Sequence, residues 1–592
     1  MRKKNCIIAS VGKKSLHRHW LPKTQNYDVH LIVYDDSYSR FKHDSAYISV
    51  DKGYKLKLVY RYLEKHPEYL AHYEYFFIPD DDILISNENI ERLFELMQKY
   101  SLSIAQPALL DSYFTYPSLV KDKFTLLRYT NMVEMMLPCF SKDALKKVLF
   151  TFNENESGWG TDFHWGNIIN ITGKEMAVID SIFAKHTRPI QSSKEENINN
   201  LTNYMQKYNL KIDIKEFGCI YLDNIDKNFF IKERDKYKLL KNELDIVANF
   251  LKEKCFHIDN TGLFSGKLGL SLFFINYYQL SGNRIFYDLA FFVFEETRNQ
   301  IKKIKNNFSL SSGLPGIGWL VEYLAQNKYI ENETDEILEE VTYKINSHDF
   351  FNYEDFSLDN GLIGIGFYYL ARIKNSNFTL ENDQQLKENE IFQKIIEVLQ
   401  SYLQEKTKYD FPDINIRDMA NFILLFAQYN STKKHEMITL TGKQMKWVEK
   451  LYFHYLHDMK EQNLSLECLY NNLLFAYTLS QYFTTLNKKE LQTNIIESIL
   501  NYSKDIFRSN WINNSTSHEL IPLAHIYFLF YQESKIDDFK NIALSFLDKV
   551  IYQKDKIKEE LNHLITSDIK KLLVEGLMLS SILSDVKSDW TF

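Results

Sequence analysis

The sequence predicts a multidomain protein in which an N-terminal α/β domain precedes an all-α domain of helical repeats. Two observations carry this prediction. Before residue 230, short β-branched runs alternate with segments of helical periodicity, whereas after it long amphipathic helices follow one another. In this second part a glycine-containing turn recurs at intervals near fifty residues, which is typical of a helical array or a closed α/α toroid.

The domain boundaries follow from the same change of pattern. We expect the α/β domain at residues 1–190 and the helical domain at residues 233–592. Residues 191–232 open with a polar run and predict a connector that contains a short helix.

Strand and helix patterns alternate through the N-terminal domain. Four apolar runs indicate buried strands, and two longer segments carry the 3.6-residue period of a helix. The predicted strands are 6–9, 29–34, 76–78 and 177–179, and the predicted helices are 54–65 and 89–100. This alternation favours a Rossmann-like layer with a largely parallel sheet.

The composition excludes several classes of partner and compartment. A net charge of -7 over 592 residues gives no electrostatic case for nucleic acid or an anionic membrane as the main partner. The five cysteines lie far apart without CxxC pairs, which favours a reducing compartment. The apolar run after the basic start is too short for a signal peptide, and no apolar stretch approaches membrane-spanning length. We therefore expect a cytoplasmic protein.

The sharpest motif is an apolar run that ends in three aspartates, Asp80, Asp81 and Asp82. Adjacent carboxylates repel one another, and a divalent cation at the carboxyl end of a strand compensates that repulsion. Asp80 and Asp82 share a face of an extended segment and can bind one cation. The alternative for such a triplet is a solvated loop or a helix cap, but residues 86–89 already offer caps for the next helix.

Two later segments point to the same site. Residues 158–162, Gly-Trp-Gly-Thr-Asp, indicate a tight turn that presents a ring and a carboxylate, and Trp159 or Trp165 is a candidate to stack on a sugar. The strand at 177–179 leads to His186, a candidate third ligand for Mn²⁺ or Mg²⁺. A packed tryptophan turn and an ordinary surface histidine are the alternatives for each segment alone, and the joint order of the three motifs favours a site.

On these motifs, residues 1–190 resemble the GT-A glycosyltransferase superfamily, and more closely the DUF707 family of uncharacterised glycosyltransferases. The resemblance rests on the strand with three aspartates and on the apolar segment 133–141. It also rests on residues 158–163 and on the strand from residue 178 to His186.

The resemblance implies a metal-dependent glycosyltransferase with a nucleotide-sugar donor. The metal ligands would be Asp80, Asp82 and His186. The donor nucleotide would contact Ser10, Val11, Gly12, Asp35, Asp36 and Asp81. The acceptor or the sugar would contact Glu134, Trp159, Gly160 and Trp165, with Asp162 as the acceptor-side base. Such a base deprotonates an acceptor hydroxyl for in-line attack with inversion, and retention is the open alternative.

The helical part repeats a glycine-rich turn. Gly262, Gly313 and Gly361 each open one copy, at intervals of 51 and 48 residues. Weaker copies of this turn, each followed by an apolar helix, are predicted near Ile416, Glu467, Glu519 and Gly576. Two helices per unit are expected, with the small residues where the chain turns into an inner helix.

Residues 233–592 resemble the lanthionine synthetase C-like (LanC-like) family, an α/α toroid with G-L-x-x-G-x-x-G turns, and residues 308–319 fit its second repeat. Cyclases of that family hold zinc with two cysteines and a histidine that directly follows one of them. This domain has only Cys255 and Cys468, and Leu469 follows the latter. We therefore predict no zinc and no thioether formation, and expect a toroid that binds a peptide or scaffolds the transferase.

The leading hypothesis is an enzyme that transfers a sugar from a nucleotide donor. The resemblance to the LanC-like fold, which usually handles precursor peptides, suggests a ribosomally made peptide as the acceptor. A glycan acceptor for cell-surface polysaccharide is one alternative. A non-catalytic peptide-binding scaffold is another, and the joint presence of the acidic triplet, Asp162 and His186 argues against it. An active lanthionine cyclase is opposed by the missing zinc ligands.

Overall fold

A computed structural model of the chain describes most of the 592 residues. The described ranges are 3–22, 26–114, 116–169, 172–189, 195–222, 227–298, 307–331, 333–350, 353–375, 383–409, 415–432, 437–458, 465–506, 515–552 and 569–584. Contacts divide the chain into two compact units. The first contains Met1–Arg234 and Ser281–Tyr287, and the second contains Asp235–Leu280 and Asp288–Phe592.

The first unit is built on a mixed β-sheet. Its strands are β1 (Asn5–Val11), β2 (Tyr27–Val33), β3 (Tyr47–Val50), β4 (Tyr75–Phe77), β5 (Ile83–Leu84), β6 (Ile104–Leu109), β7 (Thr125–Thr130), β8 (Cys139–Ser141), β9 (Met176–His186) and β10 (Glu216–Tyr221). The order across the sheet is β10-β7-β9-β6-β8-β4-β1-β2-β3, and β5 pairs with β9. β1 is parallel to β2 and β4, and β6 is parallel to β9. Since β8 lies antiparallel between β4 and β6, the carboxyl ends of β1, β2, β4 and β9 lie at one edge.

Helices cover both faces of this sheet. They are α1 (Tyr38–Phe41), α2 (Lys55–Lys65), α3 (Pro67–His72), α4 (Asn87–Lys99), α5 (Lys142–Val148), α6 (Thr151–Glu154), α7 (Thr161–Ile169) and α8 (Glu195–Lys207). The following helix, α9 (Lys227–Lys254), belongs mostly to the second unit. Alternate residues of β1 enter two separate cores: Ile7 and Ala9 pack with α4, whereas Cys6 and Ile8 pack with α2, α5 and α7. The predicted cap is also present, because Ser86 Oγ accepts from the amide of Asn89 at 3.3 Å.

The four predicted strands and two predicted helices are confirmed as β1, β2, β4, β9, α2 and α4, and four of the six predicted segments extend one residue beyond the observed element. The expectation of a largely parallel sheet is wrong, because β5, β7, β8 and β10 pair antiparallel. Strands as short as β5 and β8 carry too few residues to show a period-two pattern. The predicted connector at 191–232 contains the expected helix, α8, but also β10, which pairs with β7 at the sheet edge and was not predicted.

The described residues of the second unit form helices joined by turns and loops, without a strand. Its inner helices are α10 (Lys267–Ser281), α12 (Leu314–Gln326), α14 (Leu362–Lys374), α16 (Ile416–Ser431), α18 (Leu466–Thr485), α20 (Ser517–Ser534) and α22 (Ile569–Ser584). The helices that alternate with them are α11 (Arg284–Arg298), α13 (Thr334–Asn346), α15 (Asp383–Lys406), α17 (Gly442–Asp458), α19 (Lys489–Ile506) and α21 (Asp537–Tyr552). None of the helices described is both long and apolar enough to cross a bilayer.

The inner helices form a closed ring. Each of α12, α14, α16, α18 and α20 contacts the next inner helix along the chain. Tyr323 of α12 donates to Asn276 of α10 at 3.1 Å. The ring of helices closes where Gly576 of α22 lies against Phe273 of α10. A Cβ at this glycine would come within 2.4 Å of the Phe273 side chain. Gly576, where a further copy of the turn was predicted, therefore lies inside α22, where it packs against Phe273, and does not start a helix.

The repeat is confirmed, but the predicted register of its first copy is shifted by four residues. The residue equivalent to Gly313 and Gly361 in the first copy is Gly266 and not Gly262. The interval from Gly266 to Gly313 is 47 residues, and that from Gly313 to Gly361 is 48 residues. At all three positions a Cβ would lie within 2.3–2.4 Å of the carbonyl oxygen six residues earlier. The sequence comparison favoured Gly262 because a Gly-Leu pair begins there as well.

Candidate functional site

The acidic triplet lies at the carboxyl edge of the sheet, where the ends of β1, β2, β4 and β9 meet. β4 ends at Phe77, and the chain then turns through Asp80–Asp82 into β5. In the β5–β9 pair Ile83 lies opposite His186, so the histidine comes beside Asp82. The amide of Thr187 fixes this register by donating to the carbonyl oxygen of Asp82 at 3.1 Å.

Asp80, Asp82 and His186 form a cluster with the geometry of a metal site. One potential ligand atom from each lies within 4.8 Å of the other two. Asp82 and His186 are buried, and Asp80 is partly exposed. Asp82 Oδ1 is buried and has no hydrogen-bond partner in the part of the chain that the structure describes. An unsatisfied buried carboxylate oxygen is costly, and a divalent cation would satisfy it.

Two backbone contacts orient His186. Its Nδ1 lies 2.9 Å from the carbonyl oxygen of Tyr113, and its amide donates to Ser112 Oγ at 3.0 Å. A carbonyl can only accept, so Nδ1 carries the hydrogen and Nε2 faces Asp82 Oδ2 at 3.3 Å. Burial lowers the pKa of His186, but the Asp82 and Asp80 carboxylates outweigh it and the pKa is raised overall. Histidines that bind metals commonly donate their other ring N–H to a carbonyl in this way.

Two cations balance the carboxylates, and the sequence reasoning missed both. Lys55 is buried at the start of α2, and its Nζ lies 2.6 Å from Asp80 Oδ1. Arg188 Nε lies 3.0 Å from Asp82 Oδ2. Burial raises the pKa of Asp80 despite Lys55, whereas for Asp82 the effect of burial is outweighed by His186 and Arg188 and the pKa is lowered. A signal for Arg188 existed, because it follows the candidate ligand His186 by two residues.

Asp81 connects three loops. Its Oδ2 accepts from the amide of Gly12 at 3.1 Å and from the hydroxyl of Tyr34 at 2.9 Å. Its Oδ1 pairs with Arg188. These contacts give Asp81 a positioning role between the loops, and its predicted contact with a nucleotide stays a prediction. Tyr34, which the sequence reasoning missed, packs its ring on Gly12 so closely that a Cβ there would lie 2.3 Å away.

The remaining predicted nucleotide residues divide into core and loop. The Val11 side chain is fully buried in the core, and Ser10 is also buried, so only the backbone there can approach a ligand. Asp35 accepts from the amide of Lys13 at 2.7 Å and from Ser37, which stabilises the loop after β2. Asp36 is exposed at the same edge.

Glu134 and Asp162 add two buried carboxyl groups beside the cluster. Burial, helped by Asp162 and Asp80, raises the pKa of Glu134 to about 8. Its Oε2 has no hydrogen-bond partner among the described residues, while its amide donates to Gln106 at 2.7 Å. Burial raises the pKa of Asp162 to about 6, although backbone amides, including that of Phe163 at 3.1 Å, stabilise its charged form. Asp162 is therefore the stronger acid of the two.

The two candidate tryptophans have different environments. Trp159 is partly exposed in the turn where Gly158 and Gly160 adopt φ of +78° and +91°. Trp165 is fully buried, packs edge-on against Phe140 at 5.1 Å, and donates its Nε1 hydrogen to Thr151 at 2.9 Å. The prediction that Trp165 contacts a sugar is wrong, because the inner face of α7 places it in the core.

In the helical unit, Cys255 is buried and its thiol lies 3.1 Å from the carbonyl oxygen of Lys252. Cys468 is exposed in the first turn of α18, where its amide donates to the capping Ser465. Among the described residues, the His, Cys, Asp and Glu groups that could hold a metal ion comprise the N-terminal cluster alone.

Two family profiles match the chain. The profile "Lanthionine synthetase C-like protein" matches residues 257–427, so a LanC-like domain is present. The profile "Protein of unknown function (DUF707)" matches residues 13–126, which include the acidic triplet. The chain is thus a mixed α/β domain followed by a helical LanC-like region, as the sequence predicted.

No curated protein matches. Among solved structures, TarS of S. aureus matches with a TM-score of 0.26 and 12% identity, over 36% of this chain and 40% of that chain.

Proposed function

We propose that the protein is a metal-dependent glycosyltransferase that uses a nucleotide-sugar donor. The observation that supports this most directly is the cluster of Asp80, Asp82 and His186 at the carboxyl edge of the sheet. Ligands of α/β proteins bind at this edge, outside the ends of the strands. The match to the DUF707 profile over residues 13–126 supports the same assignment.

The donor atoms fit a divalent cation. Two carboxylates and one imidazole suit Mn²⁺ or Mg²⁺, and the unpartnered Asp82 Oδ1 supplies a free coordination position. When bound, such a cation neutralises charge on the diphosphate that leaves the sugar. Lys55 holds Asp80, and the Tyr113 carbonyl holds His186, so the ligand atoms are oriented before binding.

The carboxyl groups beside the cluster supply acid–base chemistry. Near neutral pH Asp162 is ionised, because its pKa of about 6 lies below the pH, and it can take a proton from an acceptor hydroxyl. Glu134, with a pKa of about 8, is mainly protonated and can donate a hydrogen bond to a sugar or acceptor oxygen. Trp159, partly exposed in the turn before Asp162, offers a ring for stacking on a sugar.

A peptide is our proposed acceptor, and the presence of the LanC-like domain supports it. A polysaccharide precursor is the competing acceptor class. Mass spectrometry after incubation of the enzyme and the donor with candidate peptides distinguishes the two. A mass increase of one hexose or N-acetylhexosamine supports the peptide, whereas sugar on a glycan acceptor alone supports the alternative.

Calorimetric titration of UDP and GDP, each with and without Mn²⁺, tests the donor site. The variants are Asp82→Asn, which removes the ligand charge at constant volume, and the control Asp143→Asn, which changes an exposed aspartate of α5. Binding of one nucleotide that requires Mn²⁺ and is lost in Asp82→Asn alone supports the proposal. Absence of nucleotide binding by the unmodified protein in every condition overturns it and favours a peptide-binding scaffold.

A further inference from the structure

Arg188 lies beside the cluster of Asp80, Asp82 and His186. It follows β9 by two residues, and its guanidinium reaches two adjacent members of the acidic triplet. Nη2 pairs with Asp81 Oδ1, and Nε lies 3.0 Å from Asp82 Oδ2. Unlike the buried Lys55, the Arg188 side chain is 38% exposed, so the same guanidinium is open to a ligand.

Arg188 and a divalent cation can bind Asp82 at the same time. The guanidinium and His186 both lie on Asp82 Oδ2, whereas Oδ1 has no protein partner among the described residues. A cation on Oδ1 therefore does not displace Arg188. The guanidinium carries five N–H donors in a planar fork, and its contacts to Asp81 and Asp82 use two of them.

The charge balance shows what the site attracts. Asp80, Asp81 and Asp82 face the two cations Lys55 and Arg188, and the buried Asp162 carboxyl group lies beside them. A divalent cation would add two positive charges to this site, and loss of the Arg188 charge would remove one. The cation and Arg188 therefore act in the same direction on an approaching anion.

We propose that Arg188 binds the diphosphate of the nucleotide donor and acts with the cation as a clamp for the leaving group. This inference rests on the proposed function. Asp81 and Asp82 fix the orientation of the guanidinium, and its remaining N–H groups donate to phosphate oxygens. Charge that develops on the leaving diphosphate as the bond to the sugar breaks is then met by a fixed cationic fork.

The experiment compares nucleoside diphosphates with monophosphates. UDP, GDP, UMP and GMP are titrated in Mn²⁺ into the unmodified protein, Arg188→Gln, Arg188→Lys and the control Arg92→Gln. Arg92 is an exposed arginine of α4 in the same unit and pairs with Glu95 at 2.8 Å. Electron paramagnetic resonance of free Mn²⁺ measures the cation affinity separately, and thermal melting checks folding.

Arg188→Gln is expected to lower the affinity for whichever nucleoside diphosphate binds better by roughly tenfold or more. It should lower the affinity for the corresponding monophosphate by less than about threefold. Arg188→Lys, which keeps the charge and loses the fork, should be intermediate, and Arg92→Gln should bind as the unmodified protein. Mn²⁺ affinity should stay within about threefold of the unmodified value. Equal weakening of diphosphate and monophosphate, or unchanged diphosphate binding, overturns the clamp. If the unmodified protein binds Mn²⁺ but no nucleotide, the proposed function itself fails.

Discussion

The Nδ1 hydrogen of His186 is donated to the carbonyl oxygen of Tyr113 across 2.9 Å, and this contact determines what the ring can do. Because the carbonyl accepts only from Nδ1, Nε2 is the atom that faces Asp82. The ring is buried and cannot turn without breaking the bond to Tyr113. A backbone atom 73 residues away thus selects the atom that is available to a cation.

His186→Gln should weaken Mn²⁺ binding by about tenfold to a hundredfold, because it removes one of three ligands from the cluster. Electron paramagnetic resonance of free Mn²⁺ measures the affinity. His66→Gln, a partly exposed histidine that pairs with Glu68, is the control and should bind Mn²⁺ normally. Unchanged affinity in His186→Gln would remove the histidine from the site.

Glu134→Gln should change the pH dependence of stability. Burial raises the pKa of Glu134 to about 8, so the folded state binds this proton more tightly than the unfolded state. Stability from this group is complete below the unfolded pKa and is lost as the pH rises through 8. At pH 9 in EDTA, the free energy of unfolding of Glu134→Gln should therefore be larger than that of the unmodified protein by on the order of 3–5 kcal/mol. At pH 5 the two free energies should differ little.

Thermal melts from pH 5 to pH 9 measure this difference. The control is Glu95→Gln, because Glu95 is 63% exposed and its variant should melt in parallel with the unmodified protein at every pH. A stability gap between Glu134→Gln and the unmodified protein that stays constant with pH would contradict the assigned environment.

Trp165→Ala should mainly lower stability, whereas Trp159→Ala should mainly weaken ligand binding. Trp165 is fully buried against Phe140 and Phe152, so its truncation should cost about 3–5 kcal/mol in the first unit. Trp159 is partly exposed, and its truncation should cost less than about 1 kcal/mol while weakening sugar or acceptor binding. Melting temperatures and acceptor KM values measure the two effects, and equal destabilisation would contradict the assignment.

Gly364→Ala should destabilise the helical ring by about 1–3 kcal/mol or more. A Cβ there would lie 2.2 Å from the carbonyl oxygen of Leu358 and 2.8 Å from Leu310 Cβ, so backbone must move. The matched control is Gly442→Ala at the start of α17, where a Cβ meets no atom within 4 Å. The control should be neutral or slightly stabilising, and differential scanning calorimetry compares the two variants. Similar melting of both variants would show that the ring tolerates the extra carbon.

Local patterns account for what sequence reasoning predicted correctly. Buried strands such as β1 and β4 appear as apolar runs, and polar residues at their carboxyl ends meet at one edge because parallel strands align these ends. The proximity of Asp80, Asp82 and His186 could be expected for this reason. The helical repeat is likewise periodic in sequence, although its glycine register needed the loop contacts around Gly266.

The sequence by itself determined the two-part architecture, and it pointed to Asp80, Asp82 and His186 as a cluster and to Asp162 as a candidate base, since each depends on residue types at short spacing. Only the tertiary structure decided that Trp165 is core, that Asp81 positions loops, and that Lys55 and Arg188 balance the triplet. These properties depend on partners distant along the chain; Arg188 and Asp81 are 107 residues apart. Burial and charge pairing are set by which surfaces meet when strands and helices pack, and no local pattern encodes that meeting.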